Sequence, residues 1–134
     1  MTFRIWAKSL VLWLVILVLA MLNGALREKV LIPALGSFAG LVGSGVVLSI
    51  CVFLVALCAA PWYGRLPRRQ WWLIGMFWLL LTVGFEFGFG HFVQREPWSG
   101  LLEAYTFQGG NIWPLVLVVT LVSPRLAARL RGVG

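Results

Sequence analysis

The sequence predicts an all-α membrane protein, a single domain spanning residues 1–134 that folds as a four-transmembrane-helix bundle. Three observations support this fold class. Hydrophobic residues make up 61% of the chain and charged residues only 11%, whereas a soluble domain has roughly 25% charged residues. The apolar residues fall into four runs long enough to consider as membrane spans. The basic residues flank these runs instead of gathering on one face.

The four runs justify the spans in turn, since a transmembrane helix needs about 20 mainly apolar residues to cross roughly 30 Å of hydrocarbon. The predicted spans are 5–26, 39–60, 71–93 and 111–130. The first also resembles a signal peptide, but it lacks a small-x-small cleavage site, and we expect it to be retained. The second is expected to end at Pro61. The fourth is the least regular, because it reaches full length only by continuing past Pro124 among arginines.

Two apolar connections are expected to fold onto the outer side of the bundle. The stretch Val30–Phe38 is apolar but contains Pro33, which predicts a break in the chain there. The stretch Trp98–Phe107 surrounds Glu103 with apolar side chains and follows Pro97. That pattern predicts a short interfacial or re-entrant helix.

The charge pattern predicts the orientation. The net charge is +7, but the basic residues lie at the ends of the apolar runs and not on one folded face. A nucleic-acid partner is therefore not indicated. Three places hold only basic residues, namely Arg4, Lys8, Arg65, Arg68, Arg69, Arg125, Arg129 and Arg131. The other two connections balance basic against acidic residues: Arg27, Lys29 and Arg95 against Glu28, Glu96 and Glu103. The positive-inside rule therefore predicts that both termini are cytoplasmic.

Polar residues from separate runs are expected to meet near the outer side. At a rise of about 1.5 Å per residue, Glu86, Asn23 and Asn111 each lie roughly 21–22 Å from the predicted cytoplasmic boundary. An ionisable group within a span is costly to bury and is a functional-site hypothesis by default. We therefore expect an outward-facing polar intramembrane pocket. Its expected lining is Asn23, Arg27, Glu86 and Asn111, with His91, Glu103 and Tyr105 near its mouth.

Each of these residues also has a plainer interpretation. Glu86 could form a structural ion pair with Arg27, or be protonated and bonded to Asn23. His91 could be an ordinary residue of the membrane interface, and Glu103 and Tyr105 could simply decorate the surface. If the fourth helix starts at the pocket, its N-terminal amides would favour an anion there.

Small residues at four-residue spacing predict where helices pack closely. These residues are Gly36, Gly40 and Ser44, and then Gly84 and Gly88. Small side chains let helix backbones approach each other in lipid. Packing within one chain explains the pattern, and a homodimer seam is the alternative.

Cofactor, metal and enzyme chemistry is not indicated. The chain has one histidine and no aspartate, so it lacks a multi-ligand zinc site. The glycine-rich stretch GSFAGLVGSG has no following Lys-Ser/Thr and does not indicate a phosphate loop. Cys51 and Cys58 are roughly 10 Å apart along one helix face, too far for a disulfide. We expect them to be small buried hydrophobic residues.

Three motifs carry a resemblance: NGALRE (Asn23–Glu28), FEFGFGHFV (Phe85–Val93) and GGNIWPLVL (Gly109–Leu117). With them, nearly the whole chain resembles a family of small, four-span bacterial inner-membrane proteins that are generally labelled uncharacterised. The resemblance implies a multi-pass protein of the bacterial inner membrane. It implies no activity or substrate.

Two function classes remain open from the sequence. One is a transporter or channel component that handles a small anion or proton through the Glu86 pocket. The other is a non-catalytic membrane subunit that binds and stabilises another membrane protein. The lipid bilayer is the expected partner in either case, together with a homo-oligomer or a membrane protein partner.

Overall fold

The computed structural model describes residues 3–93, 95, 97 and 112–133, and every element in these residues is helical. The helices are α1 (Phe3–Leu26), α2 (Ile32–Leu35), α3 (Ser37–Tyr63), α4 (Arg68–Gly88) and α5 (Trp113–Leu130), with π-helical turns at Arg27–Leu31 and Phe89–Val93. Four stretches are long and apolar enough to cross a membrane: Phe3–Leu35, Ser37–Tyr63, Arg68–Gly88 and Trp113–Leu130. The prediction of an all-helical, multi-pass membrane protein is confirmed.

The first span is longer than predicted, because Pro33 does not break it. The chain passes from α1 through the π-helical turn Arg27–Leu31 into α2 without leaving helical geometry. Pro33 lies in the first turn of α2, where a missing N–H is tolerated. The break comes at Gly36, whose φ of 90° is open to glycine but strained for other residues.

Two further prolines are carried inside helices. The second span was expected to end at Pro61, but α3 continues past it and ends at Gly64, where φ is 80°. Pro124 lies within α5, which runs on to Leu130. Just before it, the Ser123 hydroxyl donates a hydrogen bond to a backbone carbonyl one turn earlier. Packed neighbours and hydroxyl groups of this kind allow proline inside membrane helices.

The principal contacts join α1 to α3, α3 to α5, α5 to α4, and α4 back to α1. The helices therefore form a ring in the order α1–α3–α5–α4. The first and last helices approach the same connection: Lys8 Nζ donates to the carbonyl of Trp62 at 2.9 Å, and Leu66 N donates to Val133 O at 3.4 Å. We call this the basic end, since it carries the basic residues at the start of α1, around the start of α4 and at the end of α5.

Tryptophans fill the interior of the ring. Trp71, Ile74 and Trp78 of α4 follow helical spacing and are at most 1% exposed. Trp78 Nε1 donates to the backbone carbonyl of Ser9 on α1 at 2.9 Å, and Trp13 Nε1 of α1 donates to Thr82 Oγ1 at 3.0 Å. A buried indole N–H needs such an acceptor. These two tryptophans therefore hold α1 and α4 together instead of facing lipid.

The outer surface is apolar along every span, as expected where lipid is the solvent. Exposed side chains include Val11, Val18, Leu54, Leu80 and Val118. The two cysteines belong partly to this surface. Cys58 is exposed and Cys51 is partly exposed, so the expectation that both are buried was wrong. A small apolar thiol meets lipid without penalty, which is why the sequence does not distinguish the two positions.

Candidate functional site

Glu86 lies on α4, partly buried, at the end of the bundle opposite the basic end. Its Oε2 accepts a hydrogen bond from Nε1 of Trp113 at 2.5 Å. Trp113 is the first residue of α5, and a negative charge is favoured beside a helix N-terminus. The contact therefore joins α4 to α5 and gives the intramembrane carboxyl group a hydrogen-bond donor.

Asn23 lies on α1 and Glu86 on α4. Two hydrogen bonds fix the register of these helices, since Ser9 pairs with Trp78 and Trp13 pairs with Thr82, both at a separation of 69 residues. Both bonds lie well before Asn23 along α1, so the expectation that the two polar residues share one level stays a prediction.

Lys8 lies near the start of α1. In the observed register it is level with Phe77, nine residues after α4 begins. Its long side chain reaches back toward the basic end, where the ammonium binds the Trp62 carbonyl and lies 5.0 Å from the centre of the Trp62 ring. A lysine that extends its charge to the interface in this way can start deeper in the membrane than its charge suggests.

The amide of Asn23 is engaged by α3. Its Nδ2 donates to the backbone carbonyl of Ser44 at 3.1 Å, and the Ser44 hydroxyl donates to Asn23 Oδ1 at 2.5 Å. Both residues are buried, at 6% and 2% exposed. The guanidinium of Arg27 pairs with Glu28 at 3.2 Å. The two groups considered as structural partners of Glu86 are thus bound elsewhere.

Close backbone contacts define how the helices meet around this site. A Cβ at Gly40 would lie 3.0 Å from the backbone of Ile32 in α2, and one at Gly45 would overlap the side chain of Ile112 at the start of α5. Ser44 therefore lies on α3 between two glycines that each contact another part of the bundle. A Cβ at Gly84 or Gly88 would meet no atom of the described residues within 4 Å. Among the described residues, the predicted small-residue packing is seen at Gly40 and Ser44 and not at Gly36, Gly84 or Gly88.

Aromatic residues flank Glu86 in the sequence of α4 and the turn that follows it. Phe85 stacks on Phe89 with ring centres 5.2 Å apart and meets the Trp13 ring edge-on at 6.1 Å. His91 is partly buried and meets Phe92 edge-on at 5.0 Å. The predicted pocket residues Asn111, Glu103 and Tyr105 lie outside the described residues.

The sequence matches no protein-family model, and comparisons with curated proteins and with solved structures gave no match. Within residues 3–93, 95, 97 and 112–133, no group of three or more metal-ligating side chains occurs.

Two features of the site were not anticipated. Trp113 was not among the residues expected to line the pocket, although its position beside Pro114 at a helix start was a signal that it could serve the site. The π-helical turns Arg27–Leu31 and Phe89–Val93 were also missed. Each turn follows a long α-helix, α1 or α4, at the same end of the bundle. Such π-helical turns occur frequently at functional sites. Hydropathy carries no signal for them, because the chain stays helical in either geometry.

Proposed function

We propose that this chain is a proton-handling component of a small transporter or channel in the bacterial inner membrane, with both termini cytoplasmic. The carboxyl group of Glu86 is the proton-exchanging group. The observation that carries the proposal is the hydrogen bond from Trp113 Nε1 to Glu86. It places a titratable group between two helices inside a membrane span, which is where proton relays use carboxyl groups.

The electrostatic surroundings favour a proton over a small anion. Arg27, a basic residue of the predicted pocket lining, already shares its charge with Glu28. The N-terminus of α5, the other attractive feature, has the Glu86 carboxylate beside its first residue. An incoming anion would therefore meet a like charge, whereas a proton is attracted to it.

The test is proton flux in liposomes that contain a trapped pH-sensitive dye. After a pH jump, wild-type protein should equilibrate the lumen faster than empty liposomes do, and Glu86→Gln should fall to the empty-liposome rate. Glutamine keeps an oxygen that accepts the Trp113 N–H, so this variant is expected to fold. Thermal unfolding in detergent checks that it does.

Glu28→Gln is the matched control, since it removes a carboxylate that is paired at the surface and 64% exposed. It should retain the wild-type rate. If Glu86→Gln is folded and conducts protons as wild type does, the proposed function is wrong. A loss of flux in both variants would also contradict it, because the effect would then follow total charge and not the site.

A second candidate function is a non-catalytic membrane subunit, and the glycines of α4 favour it. Gly84 and Gly88 are one turn apart and meet nothing among the described residues, so they leave room for a helix from another protein. Crosslinking in native membranes would show a stable product with a second membrane protein if this candidate is right. Gly84→Leu should then abolish the product and leave thermal stability unchanged.

A further inference from the structure

A cleft of about 350 Å³ lies at the basic end, between the start of α4 and the end of α5. It is lined by Arg68, Trp72, Val122, Arg125, Leu126 and Arg129. We call it the arginine cleft. It lies at the end of the bundle opposite Glu86, and the proposed proton function makes no use of it.

Helix spacing produces the cleft. Arg68 and Trp72 are one turn apart on α4, and Arg125 and Arg129 are one turn apart on α5, so each pair lies on one face. One turn deeper, the backbones of α4 and α5 touch, because a Cβ at Gly75 would overlap the carbonyl oxygen of Leu121. This crossing fixes the two arginine-bearing faces against each other.

The positive charge in the cleft has no acidic counterpart among the described residues. The sequence contains no Asp or Glu between residues 30 and 85 or after residue 103. The Nη1 atom of Arg125 is buried and lacks a hydrogen-bond partner among the described residues. A buried guanidinium nitrogen without an acceptor is costly, so its retention points to a ligand that supplies oxygen atoms.

The lining also defines the kind of ligand. Arginine presents a planar fork of donors that matches the oxygens of a phosphate group. Beside the three arginines, the ring of Trp72 and the side chain of Leu126 are 41% and 44% exposed and continue the apolar surface that meets lipid. A ligand that fills the cleft would therefore have a phosphate group joined to an apolar body.

We propose that the arginine cleft binds an anionic phospholipid, with its phosphate group held by Arg68, Arg125 and Arg129 and its apolar part along Trp72 and Leu126. Basic pockets between transmembrane helices hold lipid headgroups in this way. Free phosphate offers the same oxygens to the arginines but has no apolar part. The proposal is specific to the lipid, and the experiment separates the two sources.

Native mass spectrometry of the full chain in detergent tests the proposal with three probes: phosphatidylglycerol, phosphatidylcholine and inorganic phosphate. Wild-type protein should retain phosphatidylglycerol in preference to phosphatidylcholine. Arg125→Gln should weaken phosphatidylglycerol binding by about tenfold, since it removes the buried charge-assisted donor. Arg129→Gln, on the exposed side of the cleft, tests the same site in case Arg125→Gln does not fold.

Arg131→Gln is the matched control, because it removes an equal charge from the same end of α5 without lining the cleft. It should bind phosphatidylglycerol within about twofold of wild type, as screening limits an exposed charge. An equal loss in Arg131→Gln and in the cleft variants would overturn the proposal, since general charge would then explain binding. Retention of inorganic phosphate alone, lost in the cleft variants, would also overturn it by assigning the site to free phosphate. These outcomes are independent of proton flux through Glu86.

Discussion

Asn23 and Ser44 bind each other twice, with the amide of Asn23 donating to the Ser44 carbonyl and the Ser44 hydroxyl donating to the amide oxygen. The pair closes a polar ring between α1 and α3 in a region that is otherwise apolar. Both side chains are buried, so neither can exchange its partner for water. The pair therefore fixes the rotation of each helix against the other.

Breaking this pair should destabilise the bundle. We expect Asn23→Leu to lower the free energy of unfolding by about 1–2 kcal/mol, because it leaves the Ser44 hydroxyl unpaired. A double-mutant cycle with Ser44→Ala should give a coupling energy of about 1 kcal/mol, in the range measured between membrane helices. Unfolding in mixed detergent provides the measurement. If the changes in unfolding free energy of the two single variants simply add up to that of the double variant, the two residues do not interact.

Gly75 should tolerate no side chain. A Cβ there would overlap the backbone carbonyl of Leu121. That overlap can be relieved only if α4 moves away from α5. We expect Gly75→Ala to cost about 1–3 kcal/mol, the usual range for overpacking. Gly84→Ala is the matched control on the same helix, where a Cβ meets open space, and it should be neutral or slightly stabilising. If both variants melt at the wild-type temperature, the close contact between α4 and α5 is wrong.

Trp78 should be the most sensitive tryptophan on α4. It is 0% exposed and donates to the Ser9 carbonyl. Trp78→Phe removes that donor and part of the ring volume, and we expect a loss of about 2 kcal/mol in unfolding free energy. Trp72→Phe, at an exposed position, should stay within about 0.5 kcal/mol of wild type. If Trp78→Phe costs no more than about 0.5 kcal/mol, as expected for Trp72→Phe, the buried position of Trp78 and the register of α1 against α4 would be contradicted.

The orientation can be tested by labelling single cysteines with a reagent that does not cross membranes. In a chain with Cys51→Ala and Cys58→Ala, a cysteine at Arg65 should be labelled only in inside-out vesicles. A cysteine at Lys29 should be labelled only from the outside of intact cells. Both positions are exposed, so access to the reagent depends on the side of the membrane. The reverse pattern would show that the positive-inside rule fails for this chain.

The sequence by itself determined the number and approximate position of the spans. Apolar length is a local property, and four helical stretches appear where it predicts them. It was less reliable at the ends. Pro33 and Pro61 suggested stops, yet the helix continues through each of them. Proline weakens a helix locally, but in lipid an open backbone is costlier still, and packed neighbours decide the result.

Only the tertiary structure decided which polar groups meet. From the sequence, Glu86 could have faced Arg27 or Asn23; in the fold it binds Trp113 of α5. That choice depends on the ring order of the helices, which brings α4 against α5. The arginine cleft arises in the same way, since Arg68 and Arg125 become neighbours only where Gly75 lets two backbones touch. Hydropathy fixes each helix in the membrane, but rotation and sliding between helices follow from contacts distant in sequence.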